Sequence, residues 1–338
     1  MRAILFDQPG EPEVLHLGDA PAPVCAAGEV LIRVGATAVN RADTLQRRGG
    51  YAPPAGASSI LGLEAAGEVA ELGAGVAGLQ VGQPVMALLA GGGYAELVAA
   101  PAGQVMPIPA GLTIEQAAAI PEVFLTAYLN LFKLGGLHFD PATAAPKLAG
   151  PPPARVLIHG GASGVGTAAL QLCRAVGIVS YCTVGDDERA GSCKELGASA
   201  AWNYRSSDWL AALLAETGGQ GVDVVLDCIG ASYLERNLRA LALDGRLVCI
   251  GLMGGNRAEL DLGLLLSRRL QVVGSTLRPL SKERKAALCR DFAQRALPLF
   301  ADGRLRPVVD RVLPWSEAAA AHRGLDAAHV GKLVLKVS

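Results

Sequence analysis

The sequence predicts an α/β protein in two parts, an irregular β unit and a doubly wound parallel sheet. Three observations predict it. The first 110 residues hold short apolar or alternating runs cut by Pro and Gly; from Val156 onward apolar strands alternate with helical patterns; and the first of those strands meets a glycine-rich turn, "VLIHGGASGVGTAALQL". At 338 residues the chain is also long for a single core.

The β unit is read from "RAILF", "EVLIRVGATAV", "AAGEVAEL" and "QPVMALL". From Thr113, "TIEQAAAIPEVFLTAYLNLFKLG" opens a helix, with Thr113 as N-cap and Gln116 three residues on, and Pro121 breaks or restarts it. "LHFDPATAAPKLAGPPPA" has too many prolines for either regular structure and predicts an exposed loop. The strands "RVLIHG", "IVSYCTV", "AAWNY", "VDVVLDCIG", "GRLVCIG" and "LQVVGSTL" follow, with helices starting near Gly166, Glu188, Asp208, Ser232 and Leu262. Strands separated by helices give right-handed βαβ units and a parallel sheet covered on both faces. After a helix from Lys282, the closing strand "GKLVLKV" needs a partner, and the N-terminal β unit is the simplest one. That domain is then discontinuous in sequence.

The formal charge is −1 and no run of Lys or Arg exceeds a pair, which argues against nucleic-acid and membrane-surface partners. "MRAILFDQPGEPEVL" lacks an uninterrupted apolar core, so the expected location is cytoplasmic. The seven cysteines form no CxxC pair and read as reduced, mostly buried thiols.

Gly161, Gly164 and Gly166 fit GxxGxG between a strand and a helix, the context in which missing Cβ atoms let a helix N-terminus approach a pyrophosphate. Ser163 adds a hydroxyl there. The second strand ends near Val184 without the acid that would bind an NAD ribose, which leaves room for the 2′-phosphate of NADP against Arg189 or Tyr204. Asp186 and Asp187 lie close by and would repel that phosphate, so NADPH and NADH both stay open. Asp223 and Asp227 share one apolar strand, where carboxylates cap turns more often than they do acid–base work. "CIG" and "CIGLMGG" end two strands at the carboxyl edge of the sheet, where a nicotinamide ring would rest. His159, on an apolar strand, reads as a satisfied core histidine.

"NRADTLQRRGGYAPPAGASSILGLEAAGEV" (40–69), "PVMALLAGGGYAELV", "MPIPAGLTIEQAAAIPEVFLTAY", "VLIHGGASGVGTAALQL", "GVDVVLDCIG", "LALDGRLVCIGLMGG" and "VGKLVLKV" resemble the zeta-crystallin-type quinone oxidoreductases of the medium-chain dehydrogenase/reductase superfamily. Within that group they look most like the branch whose animal member is induced in the DNA-damage response. The resemblance spans nearly the whole chain. It implies a GroES-like β domain from residues 1–123 and 277–338, a Rossmann domain at 124–276 carrying the Pro-rich insertion near 140–153, and an active site in the cleft. Zinc alcohol dehydrogenases of the same superfamily would carry Cys near Asn40, Gly-His-Glu at Gly62 to Glu64, and a four-Cys lobe; these ligands are missing, so zinc independence is expected.

The resemblance further implies that Asn40, Asp43 and Tyr51 line the substrate pocket and that Thr126 lies near the nicotinamide. Asn40 and Asp43 also suit a cap after a strand, Tyr51 suits a loop base, and Glu64 suits a structural acid. Ser163, Gly164, Val165, Gly166, Gly185, Tyr204, Ile229, Gly230, Gly251, Leu252, Met253, Leu277 and Lys332 match cofactor-binding positions, and Arg189 joins them from the strand-end reading. The activity implied is NADPH-dependent hydride transfer to small quinones, ortho-quinones among them, with one-electron leakage giving semiquinone and reactive oxygen. Asp186, Asp187 and Glu188 depart from the family pattern and keep NADH open. Two alternatives stand beside this activity: an NADPH-dependent enoyl or 2-alkenal reductase, and a non-catalytic NADPH-binding protein of the crystallin kind. A homodimer joined through the sheets near "GRLVCIG" and "LQVVGSTL" is the partner the resemblance implies.

Overall fold

Alternation in "EVLIRVGATA" buries every second residue over most of its length, which makes it a strand with one face on a core. The same logic organises the rest of the chain, seen in a computed structural model that describes residues 1–143 and 153–337. Most of the Pro-rich segment expected at 140–153 lies outside the described residues. The chain divides into two compact units, Met1–Leu125 with Leu277–Ser338, and Thr126–Thr276.

The first unit begins with β1 (Arg2–Leu5), β2 (His16–Asp19), β3 (Glu29–Ala38), α1 (Arg41–Arg47), β4 (Glu64–Leu72), β5 (Pro84–Leu88), β6 (Leu97–Pro101) and β7 (Val105–Pro107). Two short helices follow, α2 (Ile114–Ala117) and α3 (Pro121–Tyr128), and the chain passes from the first unit to the second within α3, after Leu125. Thr113 caps α2 and closes the capping box with Gln116, and Pro121 starts α3 afresh.

In the second unit a π-helical turn, Leu129–Leu134, leads to β8 (Arg155–His159), α4 (Gly164–Ala175), β9 (Val179–Val184), α5 (Asp187–Glu195), β10 (Ala198–Asn203) and α6 (Trp209–Glu216). It continues with β11 (Val222–Asp227), α7 (Leu234–Ala240), β12 (Leu241–Cys249), α8 (Leu262–Ser267) and β13 (Gln271–Gly274). All six strands are parallel, in the order β10-β9-β8-β11-β12-β13. The order reverses direction beside β8, and such a switch point leaves a crevice at the carboxyl ends of the strands.

The tail returns to the first unit as α9 (Lys282–Arg295), α10 (Pro298–Ala301), β14 (Val309–Pro314), α11 (Ala318–Gly324) and β15 (Lys332–Lys336). β15 pairs antiparallel with β3 and parallel with β14, giving a seven-stranded sheet in which β6 branches off β3. Val30, Ile32, Leu61, Tyr94, Leu333 and Leu335 belong to one continuous core, so β3 and the last strand, β15, are packed together by apolar burial as well as by the ladder. The fold is a GroES-like β domain plus a Rossmann-type parallel sheet.

Candidate active site

The glycine turn sits between β8 and α4. Gly160 has φ +69°, a left-handed conformation that favours glycine. A Cβ on Gly166 would stand 2.2 Å from the Gly160 carbonyl oxygen and 2.5 Å from that of Gly161, so the turn folds back on the first turn of the helix at a distance that only glycine permits. Ser163 is the N-cap, and its hydroxyl accepts the Gly166 amide at 3.1 Å. The other amides at the start of this 12-residue helix keep their positive end for an anion. The hydroxyl expected near a phosphate thus accepts in the cap and keeps its own proton to donate.

Just past the end of β9, two side chains converge on Gly185. A Cβ there would lie 2.8 Å from Arg189 Nη2 and 3.1 Å from the Tyr204 hydroxyl. Asp186 caps α5 by accepting the Arg189 amide at 2.8 Å, and its other oxygen accepts Arg189 Nε at 2.7 Å. That amide and the guanidinium hold the Asp186 carboxyl below its usual range. Asp187 accepts the Asn203 side-chain amide at 3.0 Å. The acids that sequence reasoning set against a phosphate are thus partnered, and Arg189 Nη2 lies beside Gly185. The spacing of Asp186 and Arg189, three apart at a helix start, is the signal that would have shown it.

The loops after β11 and β12 interlock. Asp227 accepts the Ile229 and Gly230 amides at 2.8 and 2.9 Å, the Gly254 amide donates to the Ile229 carbonyl, and the Met253 amide donates to that of Cys228. Leu252 and Met253 remain largely exposed at the carboxyl edge, 59% and 63%. Asp227 is therefore a loop anchor, and Asp223 likewise accepts the Arg155 amide at 2.7 Å. His159 is a core residue: Asn237 Oδ1 lies 2.7 Å from one ring nitrogen and the Thr183 hydroxyl 2.8 Å from the other, while burial pushes its pKa down to about 4. Thr126, half-buried, also belongs to this unit, and its carbonyl accepts the Asn130 amide at 2.7 Å.

In the first unit, Asn40 caps α1. Its side-chain amide donates to Glu64 Oε1 at 2.9 Å and to the Ala38 carbonyl at 3.1 Å, and its oxygen accepts Lys332 Nζ. Lys332 also donates to the Val39 carbonyl at 2.8 Å and lies 2.9 Å from Glu64 Oε1. The second Glu64 oxygen accepts the Glu122 amide at 2.9 Å. Both oxygens of Asp43 accept backbone amides, from Asn40 and Gly62, each at 2.9 Å. Burial pushes the Asp43 carboxyl up to about 6, and burial beside Glu64 pushes Glu122 up to about 8. Asn40, Asp43, Glu64 and Lys332 thus form one buried frame around the start of α1. The Lys332 ammonium, grouped by sequence with the cofactor residues, points into that frame.

Tyr51 lies on the irregular segment between α1 and β4, half-exposed, with its ring 5.3 Å from the Arg278 guanidinium carbon. Arg278, next to buried Leu277, was not singled out from sequence; nothing in its local pattern marks it. It emerges only because the chain returns to this unit after β13. The four residues expected to be catalytic therefore come from both units: Asn40, Asp43 and Tyr51 from the first, Thr126 from the second. Among the described residues, no group of three or more His, Cys, Asp or Glu side chains is placed to hold a metal ion.

Residues 164–293 match the family described as zinc-binding dehydrogenase, and residues 26–110 match the alcohol dehydrogenase GroES-like domain. A mycocerosic acid synthase-like polyketide synthase of Mycobacterium tuberculosis is 32% identical over 333 residues, which cover 97% of this chain and only 15% of that one. The chain thus spans about a seventh of such relatives. The quinone oxidoreductase of Lama guanicoe is 31% identical over 342 residues, covering 99% of this chain and 97% of the relative. Among solved structures, the Escherichia coli quinone oxidoreductase complexed with NADPH superposes with a TM-score of 0.86 at 30% identity, covering 99% of this chain and 100% of that one. The CurK enoyl reductase gives 0.85 at 26%, covering 100% and 99%. With a two-domain match over its whole length to relatives at this identity, the chain belongs to the medium-chain dehydrogenase/reductase superfamily and is a homologue of its quinone oxidoreductases.

Proposed function

We propose that this protein is a zinc-independent, NADPH-dependent reductase of small quinones, of the zeta-crystallin type. The observation that carries the reading is the convergence of Arg189 and Tyr204 over Gly185, downstream of a glycine turn at a helix N-terminus. The reading assigns the 2′-phosphate to these two groups because a guanidinium and a phenol, brought together at the end of the second strand, are the donors such a phosphate needs. NADPH, when bound, supplies a hydride. The residues of the second unit bind and orient it: the α4 amides receive the pyrophosphate, Arg189 and Tyr204 the 2′-phosphate, and the interlocked loops with Leu252 and Met253 flank the ring. Thr126 sits beside that ring in this reading.

In the first unit the reading gives Tyr51 the acceptor's flat face, while Asn40 and Asp43 fix the segment that carries it. A quinone that takes up a hydride becomes an anion and completes its reduction with one proton, so the protein's part is chiefly orientation and charge stabilisation. The test is NADPH and NADH oxidation by chelator-treated protein with 1,2-naphthoquinone and a simple enal as acceptors. Quinone-dependent oxidation, faster with NADPH, is the expected result. Turnover of the enal alone would replace the reading with an enoyl reductase, which the likeness to the CurK enzyme favours as the second reading.

We further propose a homodimer built on β13. This strand ends the six-stranded order, and exposed Leu243, Leu266 and Val272 lie along the same edge region. Sedimentation at micromolar concentration tests it; a monomer for wild type, or a dimer unmoved by Val272→Lys, would refute it.

A further inference from the structure

Arg278 is 3% exposed, yet no carboxylate lies within ion-pair distance of it among the described residues. Its guanidinium is held by neutral oxygens alone. Nε donates to the Ala90 carbonyl at 2.8 Å, and Nη2 donates to Gln46 Oε1 at 2.7 Å. The Gln46 amide is itself fixed, donating to the Ser59 carbonyl at 2.8 Å. Nη1 is fully buried and has no partner at all. A buried cation without a counter-charge, and a buried donor without an acceptor, are each costly, and protein interiors seldom keep either without a use.

A second cation acts on the same place. Lys285, on α9 and 4% exposed, has no hydrogen bond or ion pair to its ammonium among the described residues. Burial holds the Lys285 ammonium below its usual range, with Glu122 acting against the shift and the Arg278 charge adding to it. The acids nearest in charge, Asp43 and Glu122, make no ion pair or hydrogen bond with either cation among the described residues. Burial beside Glu64 raises Glu122 to about 8, both Asp43 oxygens are taken by backbone amides, and the two acids act on the cations only by charge at a distance. Two buried cations with no carboxylate in contact, one of them with a donor left over, offer a seat whose charge an anion would balance. The wall of that seat is the ring of Tyr51 on the guanidinium.

We propose that Arg278, supported by Lys285, is the receptor for an anionic oxygen group, carboxylate or sulfonate, carried by a flat conjugated molecule that packs on Tyr51. The acceptor class of this protein is then a conjugated carbonyl compound bearing a negative charge, and a neutral naphthoquinone is a poorer member of it. The inference rests on the reading of the first unit as the acceptor half, but its test needs no turnover.

The experiment is calorimetric titration of the full chain with 2-naphthoate and with 2-naphthamide, two ligands alike in ring and unlike in charge. Wild type is expected to bind the carboxylate at least about tenfold more tightly than the amide, as a charge-assisted hydrogen bond would give. Arg278→Gln should erase that preference, Arg278→Lys should restore part of it, and Lys285→Gln should reduce it. NADPH titration of each variant checks that it is folded. Equal affinity of wild type for the two ligands, or a preference that survives both neutral substitutions, overturns the proposal. If the preference holds while no quinone is turned over, the anion receptor stands and the activity assigned above falls.

Discussion

The Lys332 ammonium lies 2.9 Å from a Glu64 carboxylate oxygen, and both side chains are buried, at 4% and 0% exposure. The pair joins the last strand of the chain to a strand in its first quarter. Removing one member strands the other's charge in the interior, which costs about 3 to 5 kcal/mol, whereas removing both does not. Lys332→Met should therefore destabilise the protein by that amount, and Lys332→Met with Glu64→Gln should recover more than half of it. Urea unfolding of the double-mutant cycle reads this directly; additive losses would show that the two charges are not coupled.

Gly166 and Gly191 make a matched test of the glycine turn. A Cβ at Gly166 would collide with two backbone oxygens, at 2.2 and 2.5 Å, whereas one at Gly191, inside α5, meets nothing within 4 Å. Gly166→Ala should cost about 1 to 3 kcal/mol and abolish measurable NADPH binding, because backbone has to move where the pyrophosphate is received. Gly191→Ala should leave binding unchanged and stabilise by up to about 1 kcal/mol, from helix propensity. Thermal unfolding with NADPH fluorescence titration compares them, and undisturbed NADPH binding in the Gly166 variant would sink the site.

Arg189 and Asp186 predict opposite shifts in cofactor choice. Arg189→Gln removes the guanidinium that meets Tyr204 over Gly185, so NADPH affinity should fall about tenfold or more while NADH affinity holds. Asp186→Asn removes the charge now paired with that guanidinium and should tighten NADPH. Parallel titrations with both nucleotides give the ratio, and equal losses for the two would mean that the cluster does not read the 2′-phosphate.

The second unit was the more legible in the sequence, because its signals are local. Each strand is a short apolar run, four of the five helices from α4 to α8 open on a capping Ser or Asp, and the glycine turn declares itself within seven residues. His159 and Asp227 were read as structural from strand context alone, and their hydrogen bonds bear this out. What stayed illegible depends on contacts far apart in the chain. Lys332 meets Asn40 across 292 residues, and Arg278 meets Gln46 across 232. Neither pair has a periodicity or spacing that a sequence pattern could reveal, since the packing of β15 on β3 creates the first and the return of the chain after β13 the second.

Glu122 predicts a pH dependence of stability whose sign is opposite to that of the buried histidines. In the folded protein its carboxyl holds a proton up to about pH 8, whereas in the unfolded chain it releases that proton near 4.5. The folded state binds more protons than the unfolded one across this window, so the stability it contributes is full below about 4.5 and is lost as pH rises toward 8. One proton gives a slope of up to about 1.4 kcal/mol per pH unit. Asp43, raised to about 6, acts in the same direction over a lower and narrower window. His159 and His322 act the other way: burial lowers them to about 4 and 3, so their contribution is present above about 6.5 and is lost on acidification. Glu122→Gln should therefore flatten the fall in stability between pH 6 and 8 and leave the loss below pH 6 in place, with the backbone hydrogen bond from residue 122 to Glu64 intact. Urea midpoints taken from pH 5 to 9 measure both limbs, and an unchanged slope above pH 6 would show that the Glu122 carboxyl is ionised in the folded protein.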